Sequence, residues 1–256
     1  MMLKTDPLQI QVAMATNPGL MRPENQDACR LLPEHDLYIL ADGMGGHKAG
    51  ALAAQRVTEK LPPILAAELE RQRSLNHSTA DTQRQEALRL AIRQVSREIH
   101  EEGSRDTETR GMGSTLIMGW LQQQVATLAH VGDSRIYLWR NGHLLPLTVD
   151  HNVGNVLLKL KQVSREDIER SANLRHLSQC MGMAGEVDPD ISQLVLKEND
   201  HLLFCSDGLT TMVTEAEIAA VIGRYHDLDA ACEALIDAAN QAGGWDNISV
   251  ILLRWG

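Results

Sequence analysis

Residues 114–147 read STLIMGWLQQQVATLAHVGDSRIYLWRNGHLLPL. The stretch divides into short apolar runs, TLIMGWL, QVATLAHV, RIYLWR and HLLPL, each of strand length and the first three carrying β-branched or aromatic residues. Asn141-Gly142 separates the last two runs, and Asn-Gly is the strongest short hairpin signal because both residues tolerate positive φ. Gly132-Asp133-Ser134 separates the second from the third. The pattern predicts an antiparallel meander.

Towards the N-terminus, Ile10 to Thr16 and Leu37 to Ala41 are apolar runs bounded by Pro, Gly and Asp, and both read as strands. Lys48 to Leu61 reads as an Ala-rich helix with Leu52 and Val57 in its stripe, interrupted by Pro62-Pro63. Glu86 to His100 is a clearer helix, since Leu88, Ala91, Ile92, Val95 and Ile99 recur at the three-four spacing of one buried face. The polar stretch between them, Glu70 to Gln85, reads as a loop or frayed helix ends.

Towards the C-terminus, Ile191 to Leu196 and His201 to Cys205 read as a strand pair joined by the polar KEND. Thr214-x-x-Glu217 is a capping box that opens a short helix. A last helix carries Leu228, Ala231, Cys232, Leu235, Ile236 and Ala239 and stops at Gly243-Gly244. Ile248 to Leu253 is a closing strand. Between these blocks, Asn152 to Pro189 has few strand signals, and Ser164-x-x-Asp167 marks one short helix within it. The order predicts an α+β fold, with antiparallel sheets and helices packed on their outer faces.

The 256 residues correspond to one large domain or two small ones, and 43% hydrophobic residues suffice for a sizeable core. Aromatics are scarce, with Phe204 the sole Phe, so the core must be built from aliphatic side chains and Met. A net charge of −10 argues against nucleic-acid partners, which are held by basic stripes. Cys29, Cys180, Cys205 and Cys232 are scattered, with no C-x-x-C pair, and read as reduced thiols. Asp6 and Pro7 stand where a signal peptide needs its apolar stretch, and no run approaches the length of a membrane span. The expectation is a cytoplasmic protein with no membrane insertion; nothing here speaks to oligomeric state.

Aspartates recur at the edges of the strand runs. Asp42 ends YILAD, Asp133 ends AHVGD, Asp207 ends LLFCSD, and Asp246 precedes the closing strand in GGWDN. Any one Asp-Gly is ordinary turn chemistry. Together they carry more glycine than turns require: Asp42 opens DGMGGHKAG. Clustered carboxylates repel one another unless divalent cations neutralise them, and hard cations want oxygen ligands.

The segments RPENQDA, DGMGGHKAG, GMGST, HVGDSRIYLWRNG, LTVDH, LLFCSDGL and GGWDNISVILL resemble, in order, the motifs of the PP2C (PPM) family, across roughly Ile10 to Leu253. The spelling DGMGGH and the compact length are similar to its bacterial stand-alone members. The resemblance implies two antiparallel sheets packed as a sandwich with helices flanking both faces, in a single domain spanning residues 1–256. It implies a protein serine/threonine phosphatase using Mg²⁺ or Mn²⁺, two ions and a third in bacterial members. A metal-bridging water would attack phosphorus directly, reversing a Ser/Thr kinase. By the same resemblance Asp42 bridges two ions, Asp207 and Asp246 complete the first, and Gly43 reaches the second through its carbonyl. Asp133 takes a third ion, Asp27 supports the site, and Arg22 binds the substrate phosphate with its planar fork of donors. Residues 152–189 match the family's flap, expected to influence substrate choice.

Two positions depart from the pattern. Gln26 stands where many members have Glu, and Met44 where others have a His proposed as general acid. His47 is the nearest substitute for that acid; a solvent molecule held by a cation could serve instead. A catalytically inactive module that binds a phosphoprotein is the competing reading, and the retained aspartates oppose it. A two-metal nuclease or phosphodiesterase is opposed by the acidic surface.

Overall fold

The structure is a computed structural model and describes residues 10–46, 48–75 and 79–256. In chain order its strands are β1 (Ile10–Asn17), β2 (Asp27–Leu32), β3 (Leu37–Met44), β4 (Gly113–Ser114), β5 (Leu116–Gln122), β6 (Val125–Val131), β7 (Arg135–Arg140), β8 (His143–Pro146), β9 (Asp190–Val195), β10 (Asp200–Cys205) and β11 (Ile248–Trp255). Its helices are α1 (Lys48–Leu75), α2 (Ala80–Arg105), α3 (Val153–Lys159), α4 (Arg165–Arg170), α5 (Asp207–Thr210), α6 (Glu215–Arg224) and α7 (Leu228–Gln241). One sheet runs β1-β11-β10-β7-β8; the other runs β2-β3-β5-β6-β9, with β4 paired to β3. Every pairing is antiparallel.

The two-residue period of the strands builds the layers. On β3, Tyr38 and Leu40 point between the sheets, while Leu37, Ile39 and Ala41 point outward to α1 and α2. On β10, Leu202 and Phe204 face the other sheet, and Leu203 and Cys205 face α6 and α7. The result is helices, sheet, sheet, helices, with three apolar layers between. Phe204 fills the middle layer, and Gly119 opposite leaves room for its ring: a Cβ there would lie 2.6 Å from Phe204 Cζ.

Several elements differ from the sequence reading, for identifiable reasons. The helix from Lys48 does not stop at Pro62-Pro63; both prolines lie inside α1. A proline at position 62 leaves the Thr58 carbonyl without its helical donor. The Arg30 guanidinium donates to that oxygen at 3.2 Å, so the break is mended from β2. α2 starts at Ala80 with Thr79 as its cap, so Glu70 to Gln85 is largely helical. β2 and α3 were not expected at all.

The meander is also divided. β5 pairs with β6 and β7 with β8, but β6 and β7 lie in different sheets, and the chain crosses between them at Gly132-Asp133-Ser134. Gly132 has a φ of 111° there. β9 and β10 likewise enter different sheets rather than pairing. Period and turn chemistry identify strands, whereas the choice of neighbour is made by packing.

Candidate functional site

Each acidic residue singled out from sequence stands where backbone geometry holds it. Asp42 lies within β3, directly opposite Asp27 on β2. Its amide donates to Thr115 Oγ1 at 2.9 Å, and its carbonyl accepts from Thr115 N at 2.8 Å and Ser114 Oγ at 3.0 Å. Asp133 sits in the crossing between the sheets, Asp207 opens α5 immediately after β10, and Asp246 precedes β11. Gly43 allows close approach at the start of the loop: a Cβ there would lie 2.1 Å from the Gly50 carbonyl oxygen.

Arg22, Asp42, Gly43, Asp133, Asp207 and Asp246 thus line one cavity of about 470 Å³, with Gln26, Met44, Thr115 and Leu177 in its wall. Asp27 lies behind that wall. Its Oδ2 accepts from Ser206 Oγ at 2.8 Å, and its Oδ1 is buried with no hydrogen-bond partner. Arg22 Nη2 donates to Asp246 Oδ2 at 2.7 Å. Gln26 contributes its backbone carbonyl, which accepts from Gly43 N at 3.2 Å, and its side-chain amide lies against the start of α1 at Gly50. His47 lies outside the described residues.

The electrostatics of this cluster are unbalanced. Burial pushes Asp133 up to about 7, with Asp207 as the next cause. Burial lifts Asp27 to about 6 against the hydrogen bonds from Ser249 and Ser206, and Asp207 and Asp246 add to the rise. Asp42 is raised well above the ordinary carboxylate range, first by burial and then by Asp27, Asp207, Asp133 and Asp246. Asp207 is raised by burial and then by Asp246. These carboxylates feel one another across a shared space, and among the described residues Arg22 is the only cation lining it. The donor set is all oxygen, one buried carboxylate oxygen is orphaned, and the excess charge is negative. That chemistry fits hard divalent cations.

Sequence reasoning overlooked the residues that hold the site in shape. Asn247 is the chief one. Its Oδ1 accepts from Gln26 N at 2.8 Å, and its Nδ2 donates to the carbonyls of Pro18 and Glu24, both at 2.9 Å. One buried side chain therefore anchors the segment that carries Arg22. The Asp-Asn pair of GGWDN was its signal. Ser206 similarly joins Asp27 to the backbone of Ser249.

A second titratable cluster lies on the other side of Gly132. His130, His151 and Asp190 bring ligand-type atoms within 4.8 Å of one another. His151 Nδ1 accepts from Gly132 N at 3.2 Å, so Nε2 carries the ring proton and donates to Asp190 Oδ2 at 3.1 Å. A metal-ligating histidine normally donates through its other nitrogen, and an N–H cannot accept. This cluster is a hydrogen-bonded brace, which grips Gly132 from both sides because His151 N also donates to its carbonyl at 2.7 Å.

With this geometry in hand, known proteins place the chain. A family model described as protein phosphatase 2C matches residues 23–241. The chain belongs to that family. It is 34% identical over 242 residues to a serine/threonine phosphatase of Listeria monocytogenes, covering 93% of each chain. The serine/threonine phosphatase of S. agalactiae has the same fold, with a TM-score of 0.82 and 33% identity, over 96% of this chain and 99% of that one. The catalytic domain of the phosphatase PstP, solved with two manganese ions, matches at TM-score 0.74 and 27% identity, over 97% of this chain and 99% of that one. This phosphatase 2C chain is accordingly a metal-dependent protein serine/threonine phosphatase, and its substrates are phosphoproteins. Among the described residues no helix is long and apolar enough to cross a membrane.

Proposed function

We propose that the cavity ringed by Asp42, Asp133, Asp207 and Asp246 is the hydrolytic centre and that residues 1–256 act as one catalytic unit. The observation that carries this reading is the convergence of four carboxylates on one space with Arg22 at its mouth, Asp42, Asp133 and Asp207 among them raised by burial. Asp42, Asp207, Asp246 and the Gly43 carbonyl would hold two cations, Mn²⁺ or Mg²⁺. Asp133 serves a third, and Asp27 supports the set from behind. When bound, such ions supply an acidified water near neutral pH and positive charge for the phosphoryl oxygens.

The remaining work falls to the chain's own residues. Arg22 binds the phosphate. Its pair with Asp246 is largely solvent-exposed, at 54% and 38%, so it contributes at most about 1 kcal/mol, and the guanidinium can exchange carboxylate for phosphate cheaply. Asn247 keeps the Arg22 segment in register with the aspartates. Leu177, from the flap at 152–189, closes one wall against water. The physiological setting is the cytoplasm, where the enzyme reverses a Ser/Thr kinase.

Release of phosphate from a phosphothreonine peptide by the purified protein with Mn²⁺ tests this. Asp207→Asn should cut turnover by at least about 100-fold, as loss of a ligand contact does. Tight peptide binding by the wild type without turnover would overturn it.

A further inference from the structure

Beside the aspartate cavity lies a second one, of about 390 Å³, and Met44 lines both. Its walls come from distant parts of the chain: the end of α2, the Arg110–Gly113 segment, and Cys180–Ala184 at the end of the flap. These walls are fastened together. Ser114 and Met181 exchange backbone hydrogen bonds of 3.1 and 2.7 Å, Gly182 N donates to Ser96 Oγ at 3.0 Å, and the Gly182 carbonyl accepts from His100 Nδ1 at 3.0 Å. The space is therefore built into the fold.

Its lining has a distinct chemistry. Gly103, Gly111, Gly113 and Gly182 contribute no side chain to fill it, and Met44, Met112, Met183 and Cys180 are among the residues that line it. Unbranched, polarisable methionines adapt to apolar guests of varied shape. Arg110 stands exposed at the rim, and it has no ion pair or hydrogen bond among the described residues. On a chain of net charge −10, an unpaired guanidinium beside an apolar hollow is suited to a carboxylate.

We propose that this second cavity is a substrate-recognition pocket that takes a large apolar side chain near the phosphorylated residue, with Arg110 holding an acidic side chain at the rim. Continuity decides the occupant. A peptide whose phosphate reaches Arg22 has its neighbouring residues over Met44, and Met44 is the shared wall. The proposal rests on the site roles given above, and it adds a preference that phosphate chemistry alone would not supply.

The test measures binding, so that it stands even if the proposed catalytic roles fail. Fluorescein-labelled peptides carry a non-hydrolysable phosphonate in place of phosphothreonine, with Leu, Ala or Glu placed at each of the neighbouring positions. Fluorescence anisotropy with wild-type protein should show one position where Leu binds about 10-fold more tightly than Ala, the scale of a few buried methylenes. Met183→Trp, which fills the hollow, should abolish that difference. Arg110→Glu, an exposed change that keeps the fold even if Met183→Trp does not, should reverse the preference for a nearby Glu. Equal affinity for Leu and Ala at every position, or preferences that survive both substitutions, would overturn the proposal. Hydrolysis of p-nitrophenyl phosphate, too small to reach the second cavity, is followed in parallel and reports on the catalytic reading alone.

Discussion

Two clusters of titratable side chains flank Gly132, and they solve the same problem in opposite ways. On one side Asp42, Asp133 and Asp207 are buried together; burial raises all three above the ordinary carboxylate range, and Asp207 adds to the rise at Asp42 and at Asp133. On the other side His151 shares its two ring nitrogens between the Gly132 amide and Asp190, and its needs are met within the chain. Proximity of acids and histidines therefore does not define a metal site. What separates the clusters is whether the protein itself supplies the complementary charge and protons. The aspartates are left wanting a cation; the imidazole is not.

The contrast breaks most visibly if one member of the unsatisfied cluster is neutralised. Asp42→Asn should weaken Mn²⁺ binding by at least about 100-fold in isothermal titration calorimetry. The same change should raise the melting temperature of the metal-free protein at pH 8, since it removes the most strongly opposed carboxylate. A lower metal-free melting temperature would show that repulsion at Asp42 is not what the fold opposes.

Proton concentration sharpens the comparison next. Asp133 and Asp27 titrate near 7 and 6 in the folded chain against an ordinary 3.8. The folded state therefore binds protons more tightly than the unfolded one. This contribution to stability is full below about pH 4 and is lost as pH rises through 6 and 7. Metal-free protein should melt several degrees lower at pH 8 than at pH 5.5, and Mn²⁺ should recover the difference at pH 8. A rise in melting temperature over that interval would contradict the origin assigned to these shifts.

The histidine side of Gly132 yields smaller effects. His151→Ala removes the acceptor for Gly132 and the donor to Asp190, and should cost about 2–3 kcal/mol, seen as a lower urea midpoint. His130 stacks on His151 with ring centroids 4.5 Å apart, and among the described residues neither of its nitrogens meets a partner in good hydrogen-bond geometry. Burial moves it down to about 4, with His151 as the second cause, so it is neutral at pH 7. His130→Leu should be neutral or should stabilise by about 1 kcal/mol in the same measurement, because it discards a buried polar ring that lacks a well-formed hydrogen bond. Marked destabilisation would mean that His130 has a hydrogen-bonding role.

Much of this was legible in the chain, for reasons specific to each part. Short apolar runs at Leu37–Ala41 and His201–Cys205 identified the strands, and the capping boxes at Ser164 and Thr214 marked helix starts, both with the reciprocal hydrogen bonds in place. The candidate aspartates stood out because strand ends and extra glycines accompanied them. Other features were hidden because they depend on partners far away in sequence. β2 is half-buried along its whole length and has no clean alternation. The continuity of α1 through two prolines depends on Arg30, and the sheet to which β7 belongs is decided at Gly132. The role of Asn247 depends on its bonds to Pro18, Glu24 and Gln26, all far away in sequence.

The position of β11 has a consequence in time. Residues 248–255 lie between β1 and β10, with Ile10 opposite Trp255 and Cys205 opposite Val250. During synthesis β1 and β10 must wait for their common neighbour, and Asp246, just ahead of β11, comes into place with it. Helices α1 and α2 and the sheet beneath them can pair much earlier, from residues already made. The nascent chain can therefore hold half a sandwich while the ring of carboxylates is still missing Asp246, which joins it only with β11.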